Sequence, residues 1–276
     1  MKLKNVLAAA HHFVSYTWLH PANREHRLAA VANAIRVATR DRVFGRPMLV
    51  PIGCRGRMWS ETVFGMEFAY ANPYAWNEMR FWARHLAPGD IFIDVGANVG
   101  AYSLWASDHG AHVIAIEPDP EVAARLKANI ALNPWMEVEL LEVALADKRG
   151  PVQLLSERGG RSRLAVGEAV DHMMEVEAWT LDEVLGERAA AGVKIDVEGA
   201  ERLVLEGARR ALGQGRVKVF QLEWDDRSLQ LLGEEREPAA DLLAQAGYVF
   251  ARPDEQGRLR PCIPLQGADL FAYRPD

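Results

Sequence analysis

From about Asp90 onward, short β-branched apolar runs alternate with stretches whose apolar residues recur at helical spacing. Ile91 to Val95 reads as a strand, Ala101 to Ser107 as a helix and Ala111 to Ile116 as the next strand. Asp119 followed by Pro120 supplies an N-cap and a first-turn proline, opening a helix whose Val122, Leu126 and Ile130 share a face. Val138 to Val143, Val152 to Leu155 and Met174 to Ala178 read as further strands, and Thr180 with Glu183 has capping-box spacing. Val193 to Val197 and Val217 to Leu222 are strands with helices after them, while Tyr248 to Arg252 and Leu270 to Tyr273 are expected to close the sheet as a terminal hairpin. Because each parallel crossover needs its own helix, this alternation predicts an α/β, doubly wound sheet covered on both faces.

The first 74 residues follow a different pattern. Between Arg27 and Arg40, Leu28, Val31, Ala32, Ile35 and Ala38 stack on one side of a helix, which predicts an amphipathic helix docked through that stripe. Residues 47–71 are broken by Gly53, Gly56 and Gly65 and read as short strands and turns, with Met66 to Tyr70 among the strands. A helix from about Ala75 to Leu86 then leads into the alternating region, stopped by Pro88 and Gly89. The expected division is an N-terminal extension of amphipathic helix and short strands over 1–74 and an α/β domain over 75–276, whose ligand is read from its motifs.

Charge sharpens that division. The 276 residues carry a net charge of −6, yet residues 1–60 hold ten Lys and Arg against Glu25 and Asp41. The extension is therefore basic on an acidic body, either neutralising it or meeting an anionic substrate, a membrane surface or nucleic acid. With 49% apolar and 25% charged residues the composition is that of a globular protein. Cys54 and Cys262 have no C-x-x-C partner, and no apolar run approaches the roughly 18 residues of a membrane span. These features predict a soluble protein without a signal peptide, at home in a reducing cytosol.

In a doubly wound sheet the ligand crevice lies beyond the carboxyl ends of the strands. There the chain places Asp94-Val-Gly96-Ala-Asn98-Val-Gly100. A dinucleotide turn needs G-x-G-x-x-G to cradle a pyrophosphate, but Asn98 and Ala101 occupy the second and third glycine positions. D-x-G-x-x-x-G suits S-adenosylmethionine, a cation with no phosphate to neutralise. Glu117, ending the second strand 21 positions past Gly96, is placed to accept both ribose hydroxyls.

The strings Phe92 to Ser103, Ala115 to Pro120, Ala144 to Asp147, Thr180 to Asp182 and Val193 to Glu201 together resemble the FkbM family of S-adenosylmethionine-dependent methyltransferases, over about residues 75–225. The resemblance implies a class I methyltransferase (Rossmann-like) fold, a seven-stranded sheet with an antiparallel last strand. It also implies methyl transfer, usually to a hydroxyl of a sugar, glycolipid or polyketide. It assigns Asp94, Gly96, Asn98, Gly100 and Glu117 to the cofactor, and sets the turn from Ala144 to Asp147 beside adenine.

Asp196 and Glu198 end the fourth long strand, and alternation puts them on one side if the strand persists that far. Two carboxylates there could steady a sulfonium or, since a hydroxyl is a poor nucleophile near neutral pH, take the acceptor's proton, with Asp196 the first candidate and Glu198 the second. The competing role for Glu198 and Glu201 is to cap the following helix. Glu223 to Asp226 follow the fifth strand and edge the acceptor side or form a solvated loop; their oxygens also suit magnesium, although no metal is predicted. Arg161 and Arg163 are candidates for clamping an anionic acceptor, and Tyr70, Tyr74, Trp76 and Trp82 for an acceptor platform, with core packing favoured for the two tryptophans. His112 and His172 are expected to be structural. The expected partner is a small-molecule, glycan or lipid-linked hydroxyl acceptor, with peripheral membrane contact through the basic extension as a further option. Methylation of nucleic acid or protein, or NAD-dependent oxidoreduction, are the alternatives. Base methylation would want an Asn/Asp-Pro-Pro-aromatic turn after the fourth strand, where Asp196-Val-Glu-Gly199 stands instead, so no nucleic-acid partner is expected.

Overall fold

The computed structural model describes residues 13–157, 161–164, 173–224, 235–263 and 269–275. Its centre is an eight-stranded sheet built from β3 (Ile91–Val95), β4 (His112–Ile116), β5 (Val138–Leu141), β10 (Ala190–Ile195), β11 (Val217–Leu222), β12 (Val249–Pro253), β13 (Leu259–Pro261) and β14 (Leu270–Tyr273). The spatial order is β13-β12-β14-β11-β10-β3-β4-β5. β5, β4, β3, β10 and β11 run parallel, and β14 inserts antiparallel between β11 and β12. Numbered along the chain from β3 and leaving out β13, the strands read 3-2-1-4-5-7-6 with the seventh reversed. The expected seven strands are all present, and β13 adds an eighth at the edge by pairing with β12.

Strand order reverses between β3 and β10, which opens a crevice above their carboxyl ends. Both faces of the sheet are buried, as a parallel sheet requires. Phe92 points into a cluster with Trp82, Leu104, Val113 and Phe271, whereas its neighbour Ile93 joins Ile114, Val193, Phe220 and Leu243 on the other face. Each such aromatic or branched side chain contributes about 1.5–3 kcal/mol by leaving water.

Two of the expected strands leave this sheet. β7 (Gly150–Glu157) and β9 (Met173–Trp179) pair antiparallel in a second sheet, ordered β6-β9-β7-β8, with β6 (Ala144–Leu145) and β8 (Arg161–Leu164). Their apolar runs mark strands without marking which sheet they join. The capping box is formed: Thr180 Oγ1 accepts from Glu183 N at 3.1 Å, and Glu183 Oε2 accepts from Thr180 N at 2.8 Å.

The extension departs more from its pattern. β1 (Leu49–Ile52) and β2 (Gly56–Trp59) form the expected hairpin, but residues around Met66 form helix α2 (Val63–Tyr70), capped by Thr62 through Gly65 N at 3.1 Å. Helix α1 (Arg27–Ala38) docks through Ala30, Ala34 and Val37; of the expected stripe Val31 and Ala38 are half-buried at its flank, whereas Leu28, Ala32 and Ile35 face solvent. Small side chains on the docked face let α1 approach α2 closely, so packing overrode hydrophobicity. Val50, Ile52, Met58 and Phe68 share one buried cluster with Phe92 and Leu104. Two amides of helix α5 (Pro120–Ala131) and the turn after it tie β2 down: Asn129 Oδ1 accepts from Trp59 N at 3.0 Å, and Asn133 Oδ1 from Arg57 N at 2.9 Å.

Candidate active site

A cavity of about 670 Å³ opens above the ends of β3, β4 and β10. Nine acidic side chains line it against two basic ones, Arg125 and Lys194. The first acid is Asp94, near the end of β3 and 1% exposed. Its Oδ2 accepts from Ser103 Oγ at 2.6 Å, while Oδ1 is buried with no hydrogen-bond partner. Burial raises its pKa, opposed by Lys194 and by the Ser103 hydrogen bond. A buried carboxylate oxygen lacking a donor is costly, and a cationic or N–H ligand in the cavity would satisfy it.

The chain turns at Gly96, whose N–H and that of Ala97 both donate to Ile116 O, at 3.0 and 2.9 Å. Gly96 has φ +76°, and a Cβ there would collide with the backbone oxygen of Asp196, so β3 and the end of β10 touch through bare backbone. Gly100, at φ +93° before helix α4 (Ala101–Asp108), lies against Leu126 and outside the cavity wall. Between them Asn98, at φ +50°, donates its backbone N–H to Glu117 Oε2 at 2.9 Å. Glu117 Oε1 accepts from Asp119 N, also at 2.9 Å, and Asp119 caps α5 through Glu121 N and Val122 N. Glu117 is thus a buried carboxylate fixed by two backbone donors. Burial pushes its pKa up to about 7, with those donors opposing.

Beneath these acids lies Lys194, which is 5% exposed and which sequence reasoning did not single out. Its Nζ donates to Asp196 Oδ2 at 2.7 Å and sits 4.7 Å from the Tyr102 ring centroid. Burial lowers its pKa, but Asp196, Asp94 and Asp269 outweigh it and the net direction is up, so the ammonium persists. Gln221 extends the network, donating to Tyr102 Oη at 3.2 Å and to Asp269, and accepting from Trp82 Nε1. The available signal was a lysine inside a β-branched run, two residues before Asp196 and so on the same face.

Asp196, Glu198 and Glu223 offer carboxylate oxygens all within 4.8 Å of one another, each residue half-buried. Convergence of the first two was expected, but by a different route. β10 ends at Ile195, and Glu198 reaches the cluster through a left-handed turn, φ +55°, followed by Gly199 at +107°. Glu201 braces that turn, accepting from Gly199 N at 3.1 Å and Val197 N at 3.3 Å; burial pushes its pKa up to about 7. An oxygen-only trio is a donor set that suits a hard divalent cation, and also one that commonly stands alone.

Other expected positions are spread more widely. Ala144 lines the cavity, whereas Asp147 is exposed and lies outside its wall. Of the four aromatic candidates, Tyr74 alone lines it; burial, then Glu67 and Asp196, hold its phenol well above the usual range. Trp82 is core, and Trp76 donates to Glu255 O at 3.0 Å. His112 pairs with Glu137 Oε2 at 3.1 Å. His172, Asp225, Asp226 and the side chains of Arg161 and Arg163 lie outside the described residues. The extension contributes a wall that no motif announced: Glu61, Thr62, Phe64 and Glu67, around the start of α2.

A 3-2-1-4-5-7-6 sheet with a reversed seventh strand and an acid at the end of each of its first two strands defines the class I methyltransferase architecture. Residues 94–250 match the family model described as Methyltransferase FkbM domain, and the chain belongs to that family. It is 32% identical over 171 residues to 31-O-demethyl-FK506 methyltransferase FkbM of Streptomyces tacrolimicus, covering 48% of this chain and 65% of that protein. It is 31% identical over 133 residues to ribosomal RNA small subunit methyltransferase A of Mycobacterium avium strain 104, covering 47% of this chain and 40% of that one. The chain thus spans less than two thirds of either relative's length. The crystal structure of methyltransferase FkbM from Methylobacillus flagellatus KT is 15% identical, with a TM-score of 0.45 over 75% of this chain and 52% of that one.

Proposed function

We propose that this chain is an S-adenosylmethionine-dependent O-methyltransferase acting on a hydroxyl of a sugar, glycolipid or polyketide-like molecule. The observation that carries the reading is the cavity's charge, nine acids against two bases, with Asp94 and Glu117 at adjacent strand ends. A site of that sign attracts a sulfonium and an ammonium and repels a pyrophosphate or a nucleic-acid backbone. The donor set fits the cofactor: Asp94 Oδ1 would take the ammonium, Glu117 the two ribose hydroxyls, and the apolar wall at Val143, Ala144 and Leu145 the adenine. When bound, S-adenosylmethionine supplies an electrophilic methyl group on a positively charged sulfur.

The remaining work falls to side chains. Asp196 takes the hydroxyl proton as the oxygen attacks, with Glu198 beside it to share the charge, and Lys194 fixes the Asp196 carboxylate. Tyr74 and α2 confine the acceptor. The resemblance to a ribosomal RNA methyltransferase favours a nucleic-acid reading, against which stand the acidic lining and the Asp196-Val197-Glu198-Gly199 turn. Incubation with methyl-labelled cofactor and separate panels of glycans, glycolipids, polyketides and ribosomal RNA tests both. Label in a hydroxyl-bearing small molecule, lost in Asp196→Asn, supports the proposal; label in RNA alone overturns it.

A further inference from the structure

Helix α1 carries two apolar faces, of which one is packed against the described residues. Ala30, Ala34 and Val37 are packed inward, whereas Leu28 and Ile35, one heptad apart on the opposite side with Ala32 between them, are 77% and 48% exposed. A π-helical turn (Thr39–Val43) prolongs the helix, and Val43 and Phe44 continue the apolar surface at 71% and 65% exposure. Arg36, Arg40, Arg42 and Arg46 are exposed beside it. Among the described residues Arg40, Arg42 and Arg46 make no salt bridge, and Arg36 bonds only Asn33. From Arg27 to Ser60 the chain has seven arginines and one acid, Asp41.

We infer that this face docks on an anionic lipid bilayer, its aliphatic side chains entering the headgroup boundary and its arginines meeting lipid phosphates and carboxylates. Charge complementarity selects that occupant. The residues after 60 carry a net −14, so a negative surface repels the body and attracts the extension, which orients the molecule as well as holding it. The apolar residues run along the outer side of a helix with arginines interspersed, the arrangement of an interfacial helix rather than of a knob for a protein groove. The inference stands apart from the methyl-transfer reading, and neither depends on the other.

Co-sedimentation of the full chain with phosphatidylcholine vesicles, with and without phosphatidylserine, tests it. Binding to anionic vesicles at low salt, absent from neutral ones and weakened at least tenfold at high salt, is expected. Arg36→Ala/Arg40→Ala/Arg42→Ala should lower partitioning about a hundredfold, at about fivefold per arginine. Leu28→Glu/Ile35→Glu should lower it at least tenfold, both variants keeping the wild-type melting temperature and near-ultraviolet circular dichroism. Equal affinity for neutral and anionic vesicles, or undiminished binding by the folded variants, overturns the inference. So does a wild-type dimer in sedimentation velocity that the Leu28→Glu/Ile35→Glu variant dissolves without any vesicle binding, since the face then covers a second copy.

Discussion

Asp94 and Glu117 each bury a carboxylate beside one cavity, and they do so differently. Asp94 keeps an oxygen without a donor, so its removal should be felt mainly when the cofactor arrives. Asp94→Asn should lower S-adenosylmethionine affinity by about tenfold to a hundredfold, the range expected for a charge-assisted hydrogen bond; a change under twofold in a thermal-shift titration would remove Asp94 from the site. Glu117 is raised to about 7 and must be ionised to accept two hydroxyls. Cofactor affinity should therefore climb as pH rises from about 6 to 8 and level off above. Glu117→Gln should bind weakly and lose that climb, whereas an unchanged pH profile in the variant would assign the titration to another group.

At the scale of elements, α1 offers a direct contrast. Ala34→Glu buries a charge against α2 and should cost about 3 kcal/mol or more, whereas Ile35→Glu, one residue along, should stay within about 0.5 kcal/mol. Denaturant titration of the two variants measures the difference, and comparable losses would mean that the helix docks as its hydrophobic stripe suggests. That stripe shows where sequence legibility ends. Seven strands of the central sheet, the Asp119-Pro120 cap and the Thr180 capping box were legible because each is encoded by neighbours in the chain, whereas β13 was not foreseen. The docked face of α1, the helix around Met66 and the membership of β7 and β9 in a second sheet depend on partners far away in sequence. The site divides in the same way. Asp94, Asn98 and Glu117 were legible from strand ends and a glycine turn, but Lys194 was hidden in an apolar run and the α2 wall had no local signature. Glu198 converges on Asp196 because a left-handed turn brings it there, not because the strand continues.

The whole molecule carries the consequence of burying several carboxylates. Glu117 and Glu201 are raised from 4.5, and Asp269 from 3.8, to about 7, in each case first by burial. Between the unfolded and folded values the folded chain binds more protons, so these groups make stability fall as pH rises from about 4 to 7. The protein without ligand should melt at a lower temperature at pH 8 than at pH 6, and Glu117→Gln should narrow the gap. Cofactor binding that needs Glu117 ionised strengthens as that group deprotonates, so stabilisation by S-adenosylmethionine should grow from about pH 6 to 8; calorimetric scans with and without it check both signs. A melting temperature that rises from pH 6 to pH 8 would mean that other pairs dominate.

A cavity lined by nine acids and two bases favours a sulfonium nucleoside over a pyrophosphate. Isothermal titration of the full chain with S-adenosylmethionine, and in parallel with NAD, measures that choice directly. One S-adenosylmethionine per chain and no detectable NAD binding is the predicted result. Saturable NAD binding, or heat from neither ligand, would contradict it.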